Sequence, residues 1–288
     1  MPELVFRGRA VVSDRALIMA IVNRTPDSFY DHGATFEEGR ARAAISDAVA
    51  EGADVLDIGG IPASPGPEVT VEEEIRRVLP ILEWARAEYP DLIISIDTYR
   101  HEVADRVCQA GADLLNDTWQ GYDPEMLDVA AQHGVGYVCS HTGGLEPRTD
   151  PTRPHYDDVV ADVIDQTTRL AEKAVSLGVP REGVLIDPAI DFGKNTYQSL
   201  EVLRRLPELI DTGWPVLMAM SNKNVVGETL DVELDDRVTG TLAATALAAQ
   251  AGAVMFRAHQ VRQTRHTLEM VASIAGGREP SNVVRYLD

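Results

Sequence analysis

Eight times along the chain a short apolar run stops abruptly at a polar or turn-forming residue, and a stretch with helical periodicity follows. Runs of this kind, rich in Val, Ile and Leu and without polar alternation, fit strands buried on both faces, as in parallel sheets. They span Leu17 to Val22, Val55 to Ile58, Leu92 to Asp97, Asp113 to Asn116, Gly136 to His141, Val184 to Asp187, Pro215 to Ser221 and Ala253 to Arg257. The first predicted helix covers Thr35 to Glu51, with Ala41, Ala44, Ile45, Ala48 and Val49 at helical spacing and Gly52 just past its end. Thr70 and Glu73 make a capping-box pattern opening a helix to about Glu88. Further helices are expected over His101 to Ala110, from Asp123-Pro124, over Tyr156 to Leu177, Tyr197 to Leu206, from Asp235 or Asp236 through Ala251, and over Val261 to Ala275. Eight such alternations predict an α/β fold, a (β/α)8 TIM barrel, as one domain over residues 1–288. Residues 1–15 read as a short N-terminal hairpin or lead-in strand, with Ser13-Asp14 as a candidate turn, and 276–288 as an irregular tail. A doubly wound open sheet is the alternative, disfavoured because no dinucleotide-type glycine fingerprint follows the first strand.

Charge narrows the partners. Lys and Arg total 26 against 46 Asp and Glu, a formal charge of −20, which argues against non-specific nucleic-acid or anionic-membrane binding. An anionic ligand would need a local basic cluster. No apolar run reaches membrane-spanning length, and Met1-Pro2-Glu3-Leu4 lacks a signal pattern, so a cytoplasmic location is expected. Cys108 and Cys139 sit in apolar segments and read as buried thiols rather than a disulfide or zinc site.

The strand ends carry the chemistry. They read Asn23, Asp57, Asp97, Asn116, His141, Asp187, Ser221 with Lys223, and Arg257 with His259. In a barrel these ends share one mouth. A single Asp or Asn after a strand is as readily a helix cap or turn residue; polar residues at every end argue for a polar site. Carboxylates and amides with Lys223 suit a neutral heterocycle carrying donors and acceptors. Arg257, His259 and Asn23 suit an anion such as diphosphate with a bridging Mg²⁺. No cluster has zinc spacing, and no Ser or Cys lies in a nucleophile elbow.

Asn23-x-Thr25-Pro26-Asp27-Ser28-Phe29-x-Asp31 resembles the first signature of dihydropteroate synthases. Asp57-Ile58-Gly59-Gly60 with Pro65-Gly66, Ser95-Ile96-Asp97-Thr98, Asn116-Asp117, Asp187-Pro188-x-x-x-Phe192-Gly193-Lys194, Met220-Ser221-x-Lys223 and Arg257-x-His259-x-Val261 are similar to the remaining motifs in order, so the likeness reaches about Ala275. It implies a barrel, usually homodimeric, that joins 6-hydroxymethyl-dihydropterin diphosphate to p-aminobenzoate. By the same likeness Asp97, Asn116, Asp187 and Lys223 hold the pterin, Asn23, Arg257 and His259 hold the diphosphate, and Asn23 also meets its Mg²⁺.

The departures fall in particular places. After Gly60 the family usually reads Glu-Ser-Thr-Arg-Pro-Gly; here Ala63 and Ser64 replace the Thr and the Arg. Losing one charge-assisted hydrogen bond to an anion costs roughly 1.5–3 kcal/mol, or one to two decades in affinity or rate. The family's Ser-Arg-Lys-Ser is Ser221-Asn222-Lys223-Asn224, two family glycines are Ala189 and Asp191, and Arg24 stands where a small apolar residue is usual. The expected function is therefore that of a synthase-like pterin-binding protein, weak or inactive in the standard condensation. Open alternatives are a transferase on another anionic or aromatic co-substrate with Arg24 as substitute anion clamp, a non-catalytic pterin-binding or regulatory protein, and a methyltransferase-type barrel serving a corrinoid partner. Trp84, Trp119 and Trp214 read as packing or loop residues, and the small-residue helix Thr239 to Ala251 as a dimer contact.

Overall fold

Parallel strands buried on both faces need helices on one side and a filled interior on the other. A computed structural model, describing residues 3–25, 37–149 and 154–285, has this arrangement. The signature residues Pro26 to Asp31, the predicted helix start at Thr35 and the last tail residues lie outside the described residues. In chain order the first elements are β1 (Leu4–Phe6), β2 (Arg9–Val11), β3 (Leu17–Asn23), α1 (Glu38–Glu51), β4 (Val55–Gly59), α2 (Val71–Glu88), β5 (Ile93–Asp97) and α3 (His101–Gln109). Then come β6 (Leu114–Asp117), α4 (Met126–His133), β7 (Gly136–Ser140), α5 (Val159–Leu177), β8 (Val184–Asp187), α6 (Thr196–Arg204) and α7 (Leu206–Ile210). The last are β9 (Leu217–Ala219), α8 (Asn224–Leu230), α9 (Val238–Ala251), β10 (Met255–Ala258) and α10 (Val261–Ile274).

Strands β3 to β10 form one parallel sheet in the order β8-β7-β6-β5-β4-β3-β10-β9. The ring closes where Ile186 bridges Val216 and the Ile186 N–H donates to the Pro215 carbonyl at 2.9 Å. Two cores result from the strand period of two. Leu17, Met19, Val55, Ile93, Leu114, Val138, Leu185, Leu217 and Met255 fill the barrel interior. Ile18, Ala20, Val22, Leu56, Ile58, Ile94, Ile96 and Phe256 face outward under the helices.

The β1–β2 hairpin pairs antiparallel, and Leu4 and Phe6 join the interior core, sealing the N-terminal end. Its turn is at Arg7-Gly8, and the candidate turn Ser13-Asp14 lies after β2, on the way to the barrel. Arg7 and Gly8 have positive φ (50° and 75°), the backbone that tight two-residue hairpins need. Helix α2 keeps half of its capping box: Thr70 accepts from the Glu73 N–H, but the Glu73 carboxylate goes to Arg76 and Arg77. A reciprocal box forms instead at α6, between Asn195 and Gln198. Helix α5 starts at Val159, where Asp158 caps it, and α4 starts at Met126. Helices α7 and α8 are additional to the sequence reading. Both cysteines are buried and unpaired.

Candidate functional site

Strand parity decides which tip residues reach the mouth. Along β3 the interior side carries Leu17 and Met19, and two and four residues further on Ile21 and Asn23 line a cavity at the mouth. Arg24 is one residue out of phase. Its Nε donates to the Arg77 carbonyl on α2 at 3.1 Å, in the helix layer. Burial pulls its pKa down, while Glu38 and Glu37 pull it up. Asp97, Asn116, Asp187, Ser221, Arg257 and His259 all line the mouth. His141 does not, contrary to the reading of every strand tip as part of the site. It is also out of phase, with Nε2 2.7 Å from Asp162 on α5 and Nδ1 2.7 Å from Lys194 Nζ. Burial, with Lys194 alongside, pushes its pKa down to about 4.

A buried charge network floors the mouth. Asp57, fully buried, accepts from Ser95 Oγ (2.6 Å), Asn116 Nδ2 (3.1 Å) and Arg257 Nε (2.6 Å). Arg257 Nη2 donates to Asp97 at 2.9 Å. The guanidinium thus bridges two carboxylates from neighbouring strands. Burial opposes its charge, yet Asp57 and Asp97 hold its pKa above the ordinary value. Burial pushes the Asp97 carboxyl up to about 7, against the pull of Arg257. Asp187 is likewise raised by burial, and Lys223 lowered by it, each opposing the other's shift.

Above this floor lie two adjoining cavities. A narrow inner slot of about 70 Å³ is lined by Asp97, Asn116, Asp187, Lys223 and Arg257 among others. An outer cavity of about 350 Å³ adds Asn23, Thr25, Ser64, Asp191, Asn224 and His259. Ile61, Pro62 and Ala63 line both. The four predicted pterin residues therefore meet in the slot, and the three predicted diphosphate residues meet in the outer cavity. Thr98, Thr118, Trp119 and Phe192 also line the slot and were not singled out as ligand contacts. Trp119, expected only to pack, stands edge-on to Phe192 (5.6 Å between centroids) in a slot wall. Its position after the Asn116-Asp117 tip was the available signal.

The β8–α6 turn shapes the boundary between the cavities. Ala189 and Asp191 have φ of 47° and 72°, a backbone that favours glycine and costs other residues of order 1 kcal/mol. Lys194 holds the turn from beneath, donating to the carbonyls of Phe192 (2.9 Å), Ala189 (3.4 Å) and His141 (3.2 Å). Burial pulls the Lys194 pKa down to about 7. Lys223 Nζ donates to the Ile190 carbonyl at 2.7 Å and lies over the Phe192 ring. Asp191 accepts from the Val225 N–H through both oxygens (3.2 and 3.1 Å) and from Ser199 Oγ (3.4 Å).

The other altered positions divide. Ala63 and Ser64 face the outer cavity. Their loop is gripped from the β7–α5 loop, where Arg148 donates to the Ser64 and Pro67 carbonyls at 3.3 and 2.9 Å. Asn224 lines the cavity and accepts from Arg237 at 3.1 Å. Asn222 is fully buried with φ of 55°, and its side chain ties to Thr241 and Gln260 instead.

The model for the pterin binding enzyme family matches residues 19–259. The chain is 61% identical over 284 residues to the Mycobacterium tuberculosis protein named inactive dihydropteroate synthase 2, covering 97% of this chain and 89% of that one. Among solved structures it is similar to the Yersinia pestis dihydropteroate synthase in a sulfonamide drug complex, with TM-score 0.89 and 33% identity over 96% of this chain and 100% of that one. It is also similar to the Xanthomonas albilineans dihydropteroate synthase with 4-aminobenzoic acid, with TM-score 0.85 and 37% identity over 95% and 98%.

Proposed function

The chain belongs to the pterin binding enzyme family, and from that premise we propose that it binds a pterin in the inner slot while condensing the pterin diphosphate with p-aminobenzoate poorly or not at all. The observation that carries this reading is the contrast between the two cavities. The slot brings Asp97, Asn116, Asp187 and Lys223 together, supplying carboxylate, amide and ammonium groups for a ring with both donors and acceptors. The outer cavity presents Ala63 and Ser64 where the resemblance implies a hydroxyl and a guanidinium, and adds the Asp191 carboxylate. Arg257 is held by two carboxylates, and Lys223 is held by a backbone carbonyl under the charge of Asp187, so neither brings surplus positive charge to a diphosphate. The relative named as inactive supports the same reading.

Asn23 lines the outer cavity and offers one neutral amide oxygen. Among the described residues, the only His, Cys, Asp or Glu group spaced to share an ion is His101, Glu102 and Asp123, at the start of α3 rather than in the mouth. The donor set thus fits Mg²⁺ that arrives with a diphosphate and touches Asn23, rather than a resident metal. Such an ion would neutralise phosphate charge. A homodimer is supported by exposed Leu247 on α9 and Met270 and Ile274 on α10; a sedimentation mass of one 31.4 kDa chain would refute it. A cytoplasmic location goes with this assignment. Among the described residues no helix is long and apolar enough to cross a membrane.

The slot assignment is tested by calorimetric titration with 6-hydroxymethyl-dihydropterin. Asn116→Ala or Asp187→Asn is expected to weaken binding about tenfold to a hundredfold by leaving a buried donor or acceptor unmatched. Unchanged affinity in both variants would contradict it.

A further inference from the structure

The outer cavity carries its own anion. Asp191 is part of its wall, and its carboxylate is fixed by the Val225 N–H and Ser199 rather than turned away to solvent. The same lining carries apolar groups, Ile21, Ile61, Pro62 and Phe192, that can pack against a flat ring. The Lys and Arg side chains lining the cavity among the described residues, Lys223 and Arg257, are two against four carboxylates, since Arg257 pairs with Asp57 and Asp97 and Lys223 is acted on by Asp187 and by Asp191 itself. A carboxylate-bearing ring placed here meets a second fixed negative charge with no surplus cation. At an effective dielectric near 20, like charges a few ångström apart cost about tenfold or more in affinity. A ring ending in an uncharged hydrogen-bond donor meets the reverse, because a carboxylate has lone pairs beyond those occupied by two donors.

We propose that Asp191 makes the outer cavity a site for a neutral aromatic ligand bearing a hydrogen-bond donor, such as an aromatic carboxamide, and excludes aromatic carboxylates. This rests on the reading of the inner slot as a pterin site and adds to it an aryl site in the adjoining outer cavity, with Asp191 as the specificity-determining residue. The charge works by position and not by strain. Asparagine tolerates the same left-handed backbone and keeps one oxygen to accept the Val225 N–H, so Asp191→Asn removes the charge and one of the two acceptor oxygens while leaving the turn in place.

The test is a pair of calorimetric titrations, p-aminobenzamide and p-aminobenzoate, into wild type and Asp191→Asn at neutral pH, each with and without saturating 6-hydroxymethyl-dihydropterin. Wild type is expected to bind the amide about tenfold or more tightly than the acid, and Asp191→Asn to bring the two within about threefold. Equal or tighter binding of the acid by wild type, a ratio unchanged in Asp191→Asn, or no binding of either probe at about 10 mM overturns the proposal. Preference for the amide in a chain that takes up no pterin upholds the proposal for Asp191 and overturns the pterin reading alone.

Discussion

A shift of one residue along a strand separates a side chain that lines the mouth from one that packs in the helix layer. Asn23 and Arg24 are neighbours, yet one lines the mouth and the other donates to the Arg77 carbonyl in the helix layer. The uniformly apolar run Leu17 to Val22 shows no alternation, so the parity that turns Arg24 outward after β3, and His141 outward after β7, was not legible in the sequence. Both residue types suggest ligand chemistry wherever they stand. Arg24→Ala is therefore expected to leave pterin and diphosphate affinity within about twofold while lowering stability by about 1–3 kcal/mol, checked by titration and urea unfolding. A tenfold loss of diphosphate affinity would restore the anion-clamp alternative. Glu74, on α2, is fully buried. Its carboxyl lies 3.2 Å from Arg100 and is pushed up to about 7, chiefly by burial. A raised folded-state pKa means the folded chain holds this proton where the unfolded chain has released it. Its contribution is full below the unfolded value of 4.5 and fades as pH rises to about 7. Wild type should lose up to about 3 kcal/mol relative to Glu74→Gln between those pH values, read from urea midpoints; a constant difference would contradict the assignment.

Elements were legible where periodicity was long and obscure where short-range geometry ruled. The eight strands and the long helices α2, α5 and α10 follow from apolar patterning alone. Helix α8 did not, because seven residues give too little period to read. The positive φ of Ala189 and Asp191 was hidden too, since nothing in those side chains announces a left-handed backbone; only the resemblance, with glycine expected at both, hinted at it. The hairpin was expected but its role was not. Phe6 is fully buried among the first inward residues of the strands, and a Cβ on Gly136 would come within 2.6 Å of its ring. Phe6→Ala should cost about 3–5 kcal/mol in urea unfolding without altering pterin affinity, because it empties the end of the barrel opposite the mouth. A cost under about 1 kcal/mol would show that the hairpin does not seal the interior.

Across the whole molecule, closure of the ring brings together side chains far apart in the chain. Asp57, Asp97 and Arg257 meet because β10 pairs with β3, β3 with β4 and β4 with β5. The eight-fold alternation made that convergence legible, and the tip chemistry located the mouth. Its division into a retained slot and an altered outer cavity depends on loop paths that patterning does not reveal. On the proposed reading, this division separates pterin binding from condensation. The direct measurement is the rate of dihydropteroate formation by the purified chain with both substrates and Mg²⁺, beside an active synthase. Turnover several decades below that enzyme is expected, with pterin binding intact; turnover within about tenfold would contradict it.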